Sequence, residues 1–122
     1  METIDLGKAK ISLINERTVL FEAISDTVID SQTAIYFYDQ IEKHISGNYS
    51  LIIHRKHKYQ LLRMEVFNVI NTRERLVGIA IVTTRDVARK MASIEASLSE
   101  KPFSIFGNIE DATAWLNTLH ED

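Results

Sequence analysis

The feature that most constrains this chain is Leu76–Arg85, LVGIAIVTTR. No polar side chain interrupts Leu76–Val82, so the alternation of a half-exposed strand does not describe it. An apolar run rich in β-branched and small residues, closed by two threonines and an arginine, predicts a central strand covered on both faces. It is too short to cross a bilayer, which takes roughly 20 apolar residues. No transmembrane segment is expected.

A strand covered on both faces needs flanking helices, and the rest of the chain supplies them. Ile4–Ile14 alternates loosely through Ile4, Leu6, Ala9, Ile11 and Leu13, with a bulge or break at Gly7–Lys8. Val19–Ile24 reads as a second strand, and Asn15–Glu16–Arg17 as the turn of an antiparallel hairpin at the sheet edge. Ser25–Asp30 leads into a first helix, capped by Asp30 or Ser31, with Ala34, Ile35, Tyr38, Ile41 and Ile45 on one face. Gly47–Asn48 ends it. Tyr36, Phe37 and Tyr38 are consecutive on that helix, so one or two of them must be exposed, either as ordinary surface tyrosines or as part of an interaction patch.

Ser50–His54 predicts a short buried strand that runs through Arg55–Lys58 into a second helix striped by Tyr59, Leu62, Val66, Phe67, Val69 and Ile70. After the central strand, a third helix from about Arg85 to Leu98 carries Val87, Met91, Ile94 and Leu98 on its apolar stripe, flanked by Ala88, Ala92 and Ala96. Ser99–Pro102 stops it. Phe103–Phe106 is a last strand, and Ile109, Ala112, Trp115, Leu116 and Leu119 face inward from a final helix. The order β-β-α-β-α-β-α-β-α predicts a single α/β domain over residues 1–122, with a mixed, mostly parallel sheet of about five strands and four helices.

Composition narrows the functional classes. The formal charge of −3 argues against duplex nucleic acid as a partner. The absence of cysteine removes disulfides, thiolate catalysis and zinc–thiolate sites, and fits a reducing compartment. Glu2 and Asp5 stand where a signal peptide would be basic, so a cytoplasmic location is expected.

The C-terminal third resembles the SpoIIAA-like, STAS-related family. Gly78–Ile79–Ala80–Ile81–Val82 is similar to that family's central strand, and Lys101–Pro102–Phe103 to the lysine-proline step before its last strand. Phe106, Glu110, Ala112 and Trp115–Leu116 resemble its phenylalanine and acidic-alanine-tryptophan-leucine pattern. The order of elements, with two N-terminal strands, agrees along the rest. The resemblance implies the fold and non-catalytic roles: docking a partner protein, a phosphorylation switch in the anti-sigma-factor antagonists, and small-molecule or lipid-like ligands in some relatives. Where the antagonists carry a phosphorylatable serine, this chain reads Arg55–Lys56–His57–Lys58–Tyr59, with no Ser, Thr or Gly. The phosphorylation switch is not carried over.

The densest chemical signal is His54–Lys58, HRKHK, at the end of one strand. Ligands of open α/β sheets sit outside the carboxyl ends of strands. Cations at the start of a helix repel its dipole, which an anion would relieve. A solvated basic turn accounts for the same residues. Thr83–Thr84–Arg85–Asp86 holds the equivalent place after the central strand, with Thr84 as a natural N-cap and Asp86 suited to the first helical turn. The candidate ligand-binding set is therefore Arg55, Lys56, His57, Lys58, Thr83, Thr84 and Arg85. His44, His54, His57 and His120 lack metal-site spacing, and His44 and His120 suit helix C-termini by charge. No nucleophile elbow, phosphate loop or dinucleotide-binding turn is present, so neither enzyme activity nor a metal or other cofactor is expected.

The leading expectation is a non-enzymatic regulatory or scaffold domain that docks a partner protein. The alternative is a sensor of a small anionic or lipid-like ligand at the ends of the third and fourth strands. An uncovered N-terminal edge strand would also invite a homodimer.

Overall fold

In the computed structural model, residues 3–7, 9–23, 27–55, 60–62 and 65–120 are described. They form β1 (Thr3–Asp5), β2 (Ala9–Asn15), β3 (Thr18–Ala23), β4 (Thr27–Ile29), α1 (Ser31–His44), β5 (Tyr49–His54), β6 (Gln60–Leu62), α2 (Val66–Thr72), β7 (Leu76–Val82), α3 (Asp86–Leu98), β8 (Phe103–Phe106) and α4 (Ile109–Leu119). Six strands make one sheet in the order β1-β2-β3-β5-β7-β8, while β4 and β6 pair separately. The first two pairings of the large sheet are antiparallel. The last three are parallel. The expected mixed, mostly parallel sheet with four helices is present.

The strand count exceeds expectation for local reasons. Gly7, at φ +87°, breaks the opening run into β1 and β2, and its N–H donates to Asp5 Oδ1 at 2.8 Å. The left-handed backbone there suits glycine. The second helix is shorter than its stripe implied. Leu62 belongs to β6, which pairs in parallel with β4, and α2 starts only at Val66. Tertiary strand pairing overrides a helical spacing that a four-residue step only suggested. Tyr59 lies outside the described residues.

Strand β7 behaves as its sequence demands. It lies between β5 and β8, and every residue except Val77 is buried. Ile79 and Ile81 face the core built with α1 and α2, alongside Phe21, Leu51 and Ile53. Ala80 and Val82 face the opposite side, where α4 supplies Ala112 and Leu116. At about 25 cal/mol per Å² of apolar surface, these two layers are the main source of stability.

Helix α1 is capped by Asp30, whose Oδ1 accepts from the Thr33 N–H at 2.9 Å. Phe37 replaces Ile35 on its buried face, leaving Ile35 and Tyr36 exposed. Phe37 meets Phe21 edge-on, with ring centroids 5.1 Å apart. Helix α3 departs further. Val87 and Ile94, both assigned to its inner stripe, are 69% and 66% exposed, whereas Ala92 and Glu95 are buried. At 3.6 residues per turn, the helix is rotated by about 100° from the expected orientation. Ala92 and Glu95 face inward, and of the larger apolar stripe Leu98 still packs against the core.

Candidate functional site

The expected site lies where β5 and β7 end. These strands are adjacent and parallel, with His54 level with Val82, so the segments that follow them leave the sheet side by side. The Arg55 N–H donates to the Val82 carbonyl at 3.0 Å. Arg55 itself turns inward. Its guanidinium forms a bidentate pair with Glu95 of α3, Nη1 to Oε1 at 2.5 Å and Nη2 to Oε2 at 2.6 Å. The two side chains are 3% and 9% exposed. A planar guanidinium matches a carboxylate in this fork geometry and in low dielectric has every reason to keep it. Arg55 is thereby committed to holding α3 and is not presented to a ligand.

The neighbouring candidates separate. Lys56, His57 and Lys58 lie outside the described residues. Strand β6 comes before α2, so the basic stretch is not joined directly to the start of α2 as its sequence implied. Thr83 is buried; its Oγ1 accepts from the Arg85 N–H at 3.2 Å, and its N–H donates to the Phe106 carbonyl at 3.0 Å. Those bonds fix the turn. Thr84 is exposed and is not the helix cap: Arg85 holds that position, without a side-chain capping bond. Arg85 is also exposed.

What the top of the molecule does present is the outer surface of α3. Val87 and Ile94 stand out, with half-buried Met91 between them. They lie at i, i+4 and i+7 and so share one face. Arg85, Arg89 and Lys90 are exposed around the first half of that stripe, against the single carboxylate of Asp86. Arg89 also donates from Nη1 to the Thr83 carbonyl at 3.3 Å.

At the opposite end of the strands, a polar network closes the loops. Tyr49 donates to Glu42 Oε2 at 2.8 Å, and Arg73 Nη1 donates to Asp39 Oδ1 at 2.9 Å. Arg75 donates to the Gly47 carbonyl at 2.8 Å and also reaches the Ile45 carbonyl. Burial and the bond to Glu42 push the Tyr49 hydroxyl well above the usual phenol range, and burial does the same for Tyr38. Both remain protonated, and Tyr49 is the donor to Glu42. Nearby, the Ser50 hydroxyl and His120 Nε2 are 2.7 Å apart. Burial, with the Arg17 charge adding to it, lowers the His120 pKa. The distance suits a nucleophile and base, but Ser50 is fully buried, so the contact serves to seat the end of α4 on β5. Sequence reading assigned His120 only to a helix end; nothing in the spacing of two residues so far apart joins them.

His44 Nδ1 lies 2.8 Å from the Gln40 carbonyl, and His54 Nδ1 3.3 Å from Glu22 Oε2. Among the described residues, no group of three or more histidine or carboxylate side chains could hold a metal ion. Among them too, no helix is long and apolar enough to cross a membrane.

This strand order, with α4 on one face and the remaining helices on the other, defines a SpoIIAA-like α/β fold. Among solved structures, the chain is similar to an uncharacterised protein of the DUF3478 family from Shewanella loihica PV-4, itself described as having a SpoIIAA-like fold. The match has a TM-score of 0.60 at 13% identity, and covers 88% of this chain and 91% of that one. No protein-family profile matches the sequence, and no curated protein does.

Proposed function

We propose that this protein is a non-enzymatic regulatory or scaffold domain that docks a partner protein through the outer face of α3. The observation that carries the reading is the exposure of Val87 and Ile94 on a helix whose other side is pinned by the buried Arg55–Glu95 pair. A helix free to choose would bury its branched residues, each worth about 1.5–3 kcal/mol when fully covered. The exposed cations Arg85, Arg89 and Lys90 specify the partner's chemistry: an amphipathic surface with an apolar anchor and an acidic rim. The non-catalytic roles implied by the family resemblance agree with this reading.

The test is affinity capture followed by calorimetric titration of the recovered partner. Saturable, salt-sensitive binding is expected, weakened about tenfold or more by Val87→Ser/Ile94→Ser with no loss of folding. Unchanged affinity in the double variant overturns the reading. So does retention on anionic vesicles with no saturable protein partner.

A sensor of an anionic or lipid-like ligand at the ends of β5 and β7 is the second reading, supported by the adjacency of those strands. Its variant must spare Arg55, because neutralising that residue would strand the buried Glu95 charge. Neutralising Lys56, Lys58 and Arg85 should abolish ligand-induced thermal stabilisation; an unchanged shift counts against the sensor.

A further inference from the structure

A second candidate site lies at the far end of the sheet, away from α3 and independent of the docking reading. The β2–β3 turn, the α1–β5 loop and the end of α4 enclose a cleft of about 360 Å³, lined by Arg17, Ser46, Gly47, Asn48, Leu119 and His120. We propose that this cleft binds a small oxyanion, a phosphate or a carboxylate, held between the Arg17 guanidinium and the His120 imidazole.

The site is assembled from several elements. Thr18, Ser50 and Gly78 are register partners across β3, β5 and β7 and form one row of the sheet. Two residues further along the strands, the same face is apolar, with Leu20, Ile52 and Ala80. Here it is polar and small. Gly78 leaves room for Leu119, whose Cδ1 a Cβ at that position would strike. Leu119 can therefore come down onto the sheet, bringing His120 over Ser50. With Nε2 held 2.7 Å from the Ser50 hydroxyl, Nδ1 is the ring nitrogen left for a ligand. Thr18 Oγ1, fully buried in the same row, has no hydrogen-bond partner among the described residues. Thr18 does not line the cleft, so this hydroxyl belongs to the buried row of the sheet and not to the ligand site.

Arg17 supplies the positive charge of the cleft, while Glu16, Glu121 and Asp122 are the neighbours of Arg17 and His120 in sequence. Arg17 is exposed, and its guanidinium makes a single long bond of 3.4 Å, to the His120 carbonyl. No described carboxylate pairs with it. The negative end of α4 opposes an anion here, and Arg17 offsets it by donating to that terminal carbonyl. Burial and Arg17 lower the His120 pKa; a bound anion would relieve the second of these causes and allow a charged imidazole to donate.

The experiment follows the His120 ring resonances by NMR while inorganic phosphate, and separately acetate, is added at constant ionic strength. A saturable shift is expected with at least one of them, and the tighter of the two names the ligand class. Arg17→Ala should weaken it about tenfold or more while the fold is retained, as for an exposed substitution. The Lys56/Lys58/Arg85 variant should leave it unchanged, which separates this cleft from the ends of β5 and β7. Shifts that stay linear and equal those produced by chloride overturn the proposal. So does full saturation in Arg17→Ala.

Discussion

Helices α3 and α4 carry equally clear apolar stripes, yet they meet the sheet in opposite ways. Ile109, Ala112, Trp115, Leu116 and Leu119 of α4 pack as their spacing requires, and Trp115 reaches Phe106 at 5.5 Å between ring centroids. In α3 the equivalent residues Val87 and Ile94 face outward, while Ala92 and Glu95 face in. The difference lies in what each helix must satisfy. Helix α4 covers a mainly apolar surface and meets a polar group, Ser50, only through His120 at its end. Helix α3 lies beside a buried arginine, and an unpaired guanidinium there would cost more than two exposed branched side chains. Charge pairing decides its rotation, and an apolar face is left outside as a consequence.

The largest effect should come from the pair that fixes α3. Glu95→Ala is expected to lose about 3–5 kcal/mol in urea denaturation, because Arg55 is left buried without a partner. Replacing both residues together, Arg55→Met with Glu95→Leu, should recover most of that loss. Recovery would show that the pair orients α3 more than it stabilises the fold. On the other helix, Leu116→Ala should cost about 2–5 kcal/mol through the cavity it opens, with no change in any binding property of α3.

The helix starts sharpen the contrast at a smaller scale. Asn108 caps α4 by accepting from the Asp111 N–H at 2.8 Å, and Asn108→Ala should cost about 1 kcal/mol. The N-cap position of α3, Arg85, makes no such bond, so Arg85→Asp should raise stability by up to about 1 kcal/mol. Val87→Ser/Ile94→Ser should change stability by only about 0.5 kcal/mol while weakening partner binding about tenfold or more.

Much of this contrast could not be read from residue spacing. Strand β7 was legible because an uninterrupted apolar run has one structural solution, and α4 because its stripe and its packing agree. In α3 the alanines at 88, 92 and 96 were visible as a close-packing flank, but nothing local says that Glu95 will meet Arg55 from another segment. The candidate set divides for the same reason. Arg55 carries the right charge at the right end of a strand, yet its direction is set by a carboxylate distant in sequence. Ser50 and His120 were equally hidden, since only the seating of α4 over Gly78 brings them together.

The smallest expected effect is the pH dependence at the opposite end of the sheet. The folded pKa of His120 is lowered, so the unfolded chain takes up its proton first as pH falls below about 6.5. Stability should therefore decline from that point down to the lowered folded value, and less so in His120→Gln. Denaturation midpoints across this range measure it.

The orientation of α3 can be tested most directly by thiol labelling, because the chain contains no cysteine and each introduced thiol reports alone. Single variants Val87→Cys, Ile94→Cys and Ala92→Cys would be treated with a maleimide under native conditions. Rapid labelling at positions 87 and 94, with protection at 92 until the protein is unfolded, is the predicted result. Protection at 87 and 94 with rapid labelling at 92 would contradict the rotation of α3 and remove the docking face that rests on it.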